Sequence, residues 1–213
     1  MRPLVLFALL LFTSTTHLYG QAIEFSAYGG YMLSGKSNYV GGEINVANGG
    51  AFGGTLGYDM GNGIQIQFVY ARNQSGGILY NYFPRPGESE RYDFDLVIEH
   101  FQLGAEKILG GNDLVKPYVV GGMGVVAYTP KNESPNDLNL NTATKFSGGL
   151  GLGVKIFPTE KIGLKFQAKM YMPLMFSGVG IFCGSGGCGG GSSFYVPVVH
   201  GEFSGGVVFR LEQ

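Results

Sequence analysis

Ser204-Gly205-Gly206-Val207-Val208-Phe209-Arg210-Leu211 closes the chain but for two residues. Phe203, Gly205, Val207, Phe209 and Leu211 fall on one face of an extended strand; Glu202, Ser204, Gly206 and Arg210 fall on the other. Side chains alternate across a strand with period two, so this pattern predicts a strand whose faces meet different media.

The other end reads as an address. Arg2 precedes an unbroken apolar run from Leu4 to Phe12, then a polar stretch and Leu18-Tyr19-Gly20-Gln21-Ala22. This is the layout of a secretory leader over residues 1–20, cleaved after Gly20 or Ala22. The run is too short for a transmembrane helix, which needs about 20 residues. No cysteine stands at the junction to take a lipid anchor. The remaining chain, 21–213, is expected to form one all-β domain of about 190 residues. Net charge is −1, so no basic field is present to attract nucleic acid.

Eight segments between leader and terminus read as strands: Glu24–Leu33, Ala51–Tyr58, Ile64–Asn73, Asp93–Ile108, Pro117–Tyr128, Thr144–Phe157, Ile162–Met172 and Val196–Leu211. Three connections are tight: Asp59-Met60-Gly61-Asn62-Gly63, Gly110-Gly111-Asn112-Asp113 and Pro158-Thr159-Glu160-Lys161. The Asn-Gly and Gly-Asn pairs suit short reversals. The other four, 35–50, 74–92, 129–142 and 176–194, are long and read as loops. Long and short connections alternate strictly, so an antiparallel up-and-down barrel carries all short turns on one rim and all long loops on the other. An even strand count with this asymmetry is how transmembrane barrels are built.

Alternation alone does not say which face points outward, and a soluble secreted barrel would hide its apolar face inside. Phe146, Leu150, Leu152, Val154 and Ile156 oppose Lys145, Ser147, Gly149, Gly151, Gly153 and Lys155; Ile162, Leu164, Phe166, Ala168 and Met170 oppose Gly163, Lys165, Gln167 and Lys169. Ile64, Ile66, Phe68 and Tyr70 oppose Gln65 and Gln67. The polar faces mix charges with glycine, which suits a cramped interior, so the apolar faces are assigned to lipid. Tyr58, Tyr70, Tyr118, Tyr128, Tyr171, Phe203 and Phe209 are expected to form the interfacial aromatic girdles. The fourth segment is irregular, with Phe94, Leu96 and Ile98 on one face and Phe101, Leu103 and Ala105 on the other. Either a bulge near Glu99-His100 reconciles them, or the part before Glu99 stands above the membrane.

With these features the chain resembles the small eight-stranded outer-membrane barrels of the OmpA/OmpX type and the generic outer-membrane β-barrel domain of Gram-negative bacteria. The resemblance spans residues 21–213 and lies in pattern rather than in particular residues. It implies an integral, multi-pass outer-membrane protein, a monomer with outer-membrane lipid around it and porin-like relatives. The terminal Ser204, Gly206, Phe209 and Leu211 resemble the insertion signal read by the barrel-assembly machinery. The appended periplasmic peptidoglycan-binding domain of full-length OmpA-like proteins is not expected.

Glu24, Glu106, Lys145, Lys155, Lys165, Lys169, Glu202 and Arg210 are expected in the lumen, with His100 and His200 nearby. An eight-stranded barrel is just wide enough to be filled by side chains, and unpaired buried charges are costly. A salt-bridged plug is therefore favoured over a narrow conduit for ions or small solutes. His200, Glu202 and Ser204 share one face and evoke the lipid-deacylating barrels. Neighbours two apart stand roughly 7 Å from each other, too far for a base to reach a hydroxyl, so an enzyme is not expected. Cys183 and Cys188 are candidates for a local disulfide in an oxidising compartment, and they lack the histidine or carboxylate company of a metal site. Gly148-Gly149-Leu150-Gly151-Leu152-Gly153 lies in a strand with no helix following, so it is no phosphate loop. No cofactor is expected. The functional expectation is an envelope-structural or loop-mediated surface role, its extracellular partner unnamed, carried by four mobile outer loops.

Overall fold

The computed structural model describes residues 22–39, 42–82, 89–131, 142–184, 187–195 and 198–212; the expected leader lies outside them. Strands β1 (Ala22–Leu33), β4 (Gly49–Asp59), β5 (Ile64–Tyr82), β6 (Ser89–Ile108), β7 (Val115–Lys131), β8 (Ala143–Ile156), β9 (Ile162–Gly184) and β11 (His200–Glu212) pair antiparallel in chain order. β11 returns to β1 from Ala22↔Glu212 to Leu33↔Gly201, closing an eight-stranded up-and-down barrel. Closure leaves no unpaired edge in the wall. Three further strands stand on the outer side: β2 (Lys36–Tyr39), β3 (Gly42–Val46) and β10 (Gly187–Tyr195).

The short turns follow their chemistry. Gly61, Asn62 and Gly63 all hold positive φ (82°, 55° and 68°), and the Asp59 carboxylate accepts the Gly61 amide at 2.8 Å. Asn and Gly tolerate this left-handed region, which β-branched residues do not.

The assigned faces hold in the lipid belt. Phe25, Phe52, Leu56, Ile66, Phe68, Leu103, Met123, Leu150, Leu152, Phe166, Phe203 and Leu211 all point outward and are exposed. Glycines on the inner wall make room for large lumen side chains: a Cβ on Gly153 would lie 2.5 Å from the Tyr118 hydroxyl. Above the belt, three segments read as loops, 35–50, 74–92 and 176–194, carry strands. β5 and β6 stay paired from Ile64↔Lys107 to Tyr82↔Ser89, while β4 leaves β5 at Gln74 and β7 leaves β6 at Asp95. The resulting ribbon extends roughly 25 Å along the strands beyond its neighbours, at about 3.3 Å per residue. β3 joins its side from Gly42↔Asn81 to Val46↔Gly77, and β10 pairs with the upper part of β9. The last strand begins at His200; Val196, where it was expected to start, lies outside the described residues.

No bulge occurs near Glu99-His100: both registers of β6 run through it without a shift. Phe94, Leu96, Ile98, His100, Gln102 and Glu106 keep one parity, all toward the interior. Leu96 and Ile98 pack there with Val46 and Val126, against Phe94 and Tyr128. The alternation changes sign because the surroundings change, so the part of β6 before Glu99 stands above the membrane.

Candidate functional site: the lumen and its outer rim

The lower lumen is an ionic ladder. The Lys155 ammonium, brought inward from β8, donates to Glu24 Oε2 of β1 at 2.5 Å and to Gln65 Oε1 of β5 at 3.1 Å. Glu106 of β6 meets the same ammonium at 2.5 Å and Lys165 of β9 at 3.6 Å, as ion pairs not aligned as hydrogen bonds. Arg210 of β11 donates twice to Glu24 Oε1, at 2.7 and 3.1 Å, and stacks on Phe157. Lys155, Lys165, Glu24 and Glu106 are each at most 5% exposed. In so little water, attraction between opposite charges is strong, and it offsets the desolvation cost only because every charge meets an opposite one.

Next comes a mixed layer. Glu202 accepts from Ser204 (2.9 Å), Gln167 (3.4 Å) and Tyr171 (3.3 Å), and the Tyr118 hydroxyl donates to Gln167 (3.3 Å). The Lys169 ammonium lies 4.8 Å from the centre of the Tyr171 ring, a cation–π contact. Above it, His100 stacks on Tyr171 at 4.1 Å and meets His200 edge-on at 6.0 Å, both histidines fully buried. The His200 nitrogens meet the Tyr128 hydroxyl at 3.0 Å and Ser34 Oγ at 3.2 Å. An apolar cap of Val46, Leu96, Ile98 and Val126 completes the stack toward the outside.

The structure thus places Glu24, Glu106, Lys155, Lys165, Lys169, Glu202, His100 and His200 deep in the lumen and Arg210 at its lower mouth. Lys145 sits half-buried at the outer end of β8 and enters none of the described ion pairs. The girdle assignment needs correction. Tyr118 and Tyr171 are at most 1% exposed and face the lumen, and Tyr128 reaches inward to His200. Tyr171 shares the parity of Lys165 and Lys169, a signal already present in the sequence. Tyr58, Phe203 and Phe209 are exposed, and Tyr70 packs on Phe101 at 5.1 Å, outward-facing like them. The expected separation of residues two apart needs correction, because the Ser204 hydroxyl donates to Glu202 at 2.9 Å; His200 does not join them and turns instead to Tyr128 and Ser34. Ser204, Gly206, Phe209 and Leu211 all lie within β11. Cys183 and Cys188 are directly opposite one another in the β9–β10 register. No group of three or more metal-ligating side chains occurs among the described residues.

A closed barrel with a lipid-compatible exterior and a charged, packed interior has a family counterpart. The model of the outer membrane protein beta-barrel domain matches residues 5–172. The chain belongs to this family. No curated protein matches it in sequence. Among solved structures it is similar to Neisserial surface protein A (18% identity, TM-score 0.52, covering 89% of this chain and 96% of that one). OprG from Pseudomonas aeruginosa is similar at 14% identity and TM-score 0.52, covering 92% and 98%. Ail, the attachment invasion locus protein of Yersinia pestis, solved with the heparin analogue sucrose octasulfate, is similar at 15% and 0.51, covering 91% and 100%. Identities this low carry the fold and not the activity. Family and fold together make this an outer-membrane β-barrel protein of the Gram-negative type.

Proposed function

We propose that this barrel is a non-enzymatic, monomeric outer-membrane protein with a closed lumen, working in envelope integrity and in contacts made by its projecting strands. The observation that carries the reading is the Lys155 ammonium held between Glu24 and Glu106, a bridge across the lumen from β8 to β1 and β6. Ions passing through must separate charges packed in an interior already filled by side chains. The β5–β6 and β9–β10 ribbons support the second half, since rigid elements that present variable segments are where recognition usually lies. The rest of the reading follows from an envelope location: a leader removed after Gly20 or Ala22, insertion through the terminal β11 pattern, and a Cys183–Cys188 bond.

Conductance of the purified protein in planar bilayers tests it. The wild type is expected to give no porin-sized steps. Steady ohmic conductance from the unmodified barrel would replace the plug with a conduit.

A further inference from the structure

The short turn between β4 and β5 places Asn62 directly before Gly63. Both hold positive φ, and Gly63 has no side chain to shield its amide nitrogen. The Asn62 side chain is exposed, and neither its amide nor the Gly63 N–H has a hydrogen-bond partner among the described residues. Asparagines in two other connections are held: Asn112 Oδ1 accepts the Val115 amide at 2.7 Å, and Asn48 Oδ1 accepts the Ser34 amide at 2.9 Å. One further group reaches the turn, from β6. The Lys107 ammonium donates to the Asn62 carbonyl oxygen at 2.5 Å and lies 4.0 Å from where a Gly63 Cβ would stand. That carbonyl belongs to the peptide bond whose nitrogen is that of Gly63. The turn's own carboxylate, Asp59, is occupied by the Gly61 amide at 2.8 Å.

We infer that Asn62 is a site of spontaneous deamidation and that Lys107 promotes it. The Gly63 nitrogen attacks Asn62 Cγ. The new C–N bond closes a succinimide ring, the Cγ–Nδ2 bond breaks, and ammonia leaves with the proton lost by Gly63. Water, the only co-reactant, then opens the ring at either carbonyl and gives aspartate or isoaspartate at position 62. The attacking species is the deprotonated amide, whose negative charge is shared with the carbonyl oxygen of the same peptide bond. Lys107 donates to that oxygen. Its charge-assisted hydrogen bond therefore strengthens as the charge develops, which lowers the barrier rather than merely holding the turn. The product differs from the reactant in charge. A carboxylate formed at position 62 gains Lys107 as its counter-charge, so a side chain without a partner becomes one that ties the β4–β5 turn to the end of β6.

Ageing the folded barrel tests it. Full-length wild type and Lys107→Met in detergent micelles are incubated at mildly alkaline pH beside the same proteins held unfolded in denaturant. Tandem mass spectrometry of the turn peptide follows the exchange of amide for acid at position 62 and the share of isoaspartate. Heat-modifiability on a gel confirms that each variant folds; Lys107 is exposed, so its replacement leaves the wall intact. In the folded protein Lys107→Met should slow the reaction about threefold, within the range of an exposed charge interaction. Lys107→Arg, which keeps a cationic donor, should retain most of the wild-type rate. In denaturant the three rates should converge, because the contact no longer exists. Asn62→Gly, which suits the positive φ, should abolish the change in the turn peptide. A folded Lys107→Met that reacts at the wild-type rate, or a slowing that persists in denaturant, would overturn the role of Lys107. A folded wild type that keeps its amide while the unfolded chain loses it would overturn the site itself.

Discussion

Strand β6 passes through two media on one unbroken register, and its halves follow opposite rules. In the belt, Phe101 and Leu103 point outward while His100, Gln102 and Glu106 are buried inside. Above it, Asp95 and Glu99 point outward while Leu96 and Ile98 are buried inside. The backbone does nothing different in the two halves. What changes is the solvent beyond the wall: lipid favours apolar side chains outside, and water favours polar ones. The residue pair Glu99–Phe101 therefore marks the outer limit of the hydrocarbon on this side. Tyr70, packed at a tilt against Phe101 and donating to Glu99 at 2.8 Å, spans that limit with its ring below and its hydroxyl above.

The largest effect should come from the polar interior that lipid outside imposes. Lys155→Met leaves Glu24 and Glu106 facing each other across the lumen without their shared counter-charge. Removing one partner of a buried ionic cluster costs about 3–5 kcal/mol. Denaturant-driven unfolding from lipid vesicles should show that loss. A single variant as stable as the wild type would mean that water reaches the ladder and that the lumen is not closed.

Next in size is the outer face itself. Leu103→Arg places a charge in mid-belt, where such a change costs about 2–4 kcal/mol. Glu99→Leu, two steps along the same outward row, removes a part-exposed pair with Arg72 and the acceptor of the Tyr70 hydroxyl, and should cost about 1 kcal/mol. The same unfolding assay compares them. Similar costs for the two would put the hydrocarbon limit elsewhere and dissolve the contrast drawn on β6.

How much of this was legible in the sequence follows the same boundary. In the belt, period two survives any error in strand ends, so the faces of β8, β9 and β11 are readable from residues alone. The interior charges come with them by parity. On β7 both faces are apolar (Val119 and Val125 outside, Val120 and Val126 inside), so alternation carries no sign there, and Tyr118 and Tyr128 were misassigned to the girdle. Above the belt the rule inverts, and stretches such as Ser75-Gly76-Gly77 look like loop although they lie in β5.

The smallest expected effect concerns the second projecting ribbon. β8 pairs with β9 no further than Leu174, whereas β10 continues with β9 from Met175 to Gly184. The Cys183–Cys188 rung therefore stands beyond the barrel's closed wall. A bond there closes so short a loop that chain entropy accounts for only about 2 kcal/mol, and it acts on the ribbon alone. Intact mass should be lower by two hydrogens until a reductant is added. Cys183→Ser should speed amide exchange in β10 and in β9 beyond Leu174 while leaving the barrel's unfolding midpoint unmoved, since cooperative units open separately when few contacts join them. If the midpoint falls with the bond, ribbon and barrel form one unit, and the division between a lipid-facing wall and an independent extracellular superstructure fails on this side of the molecule.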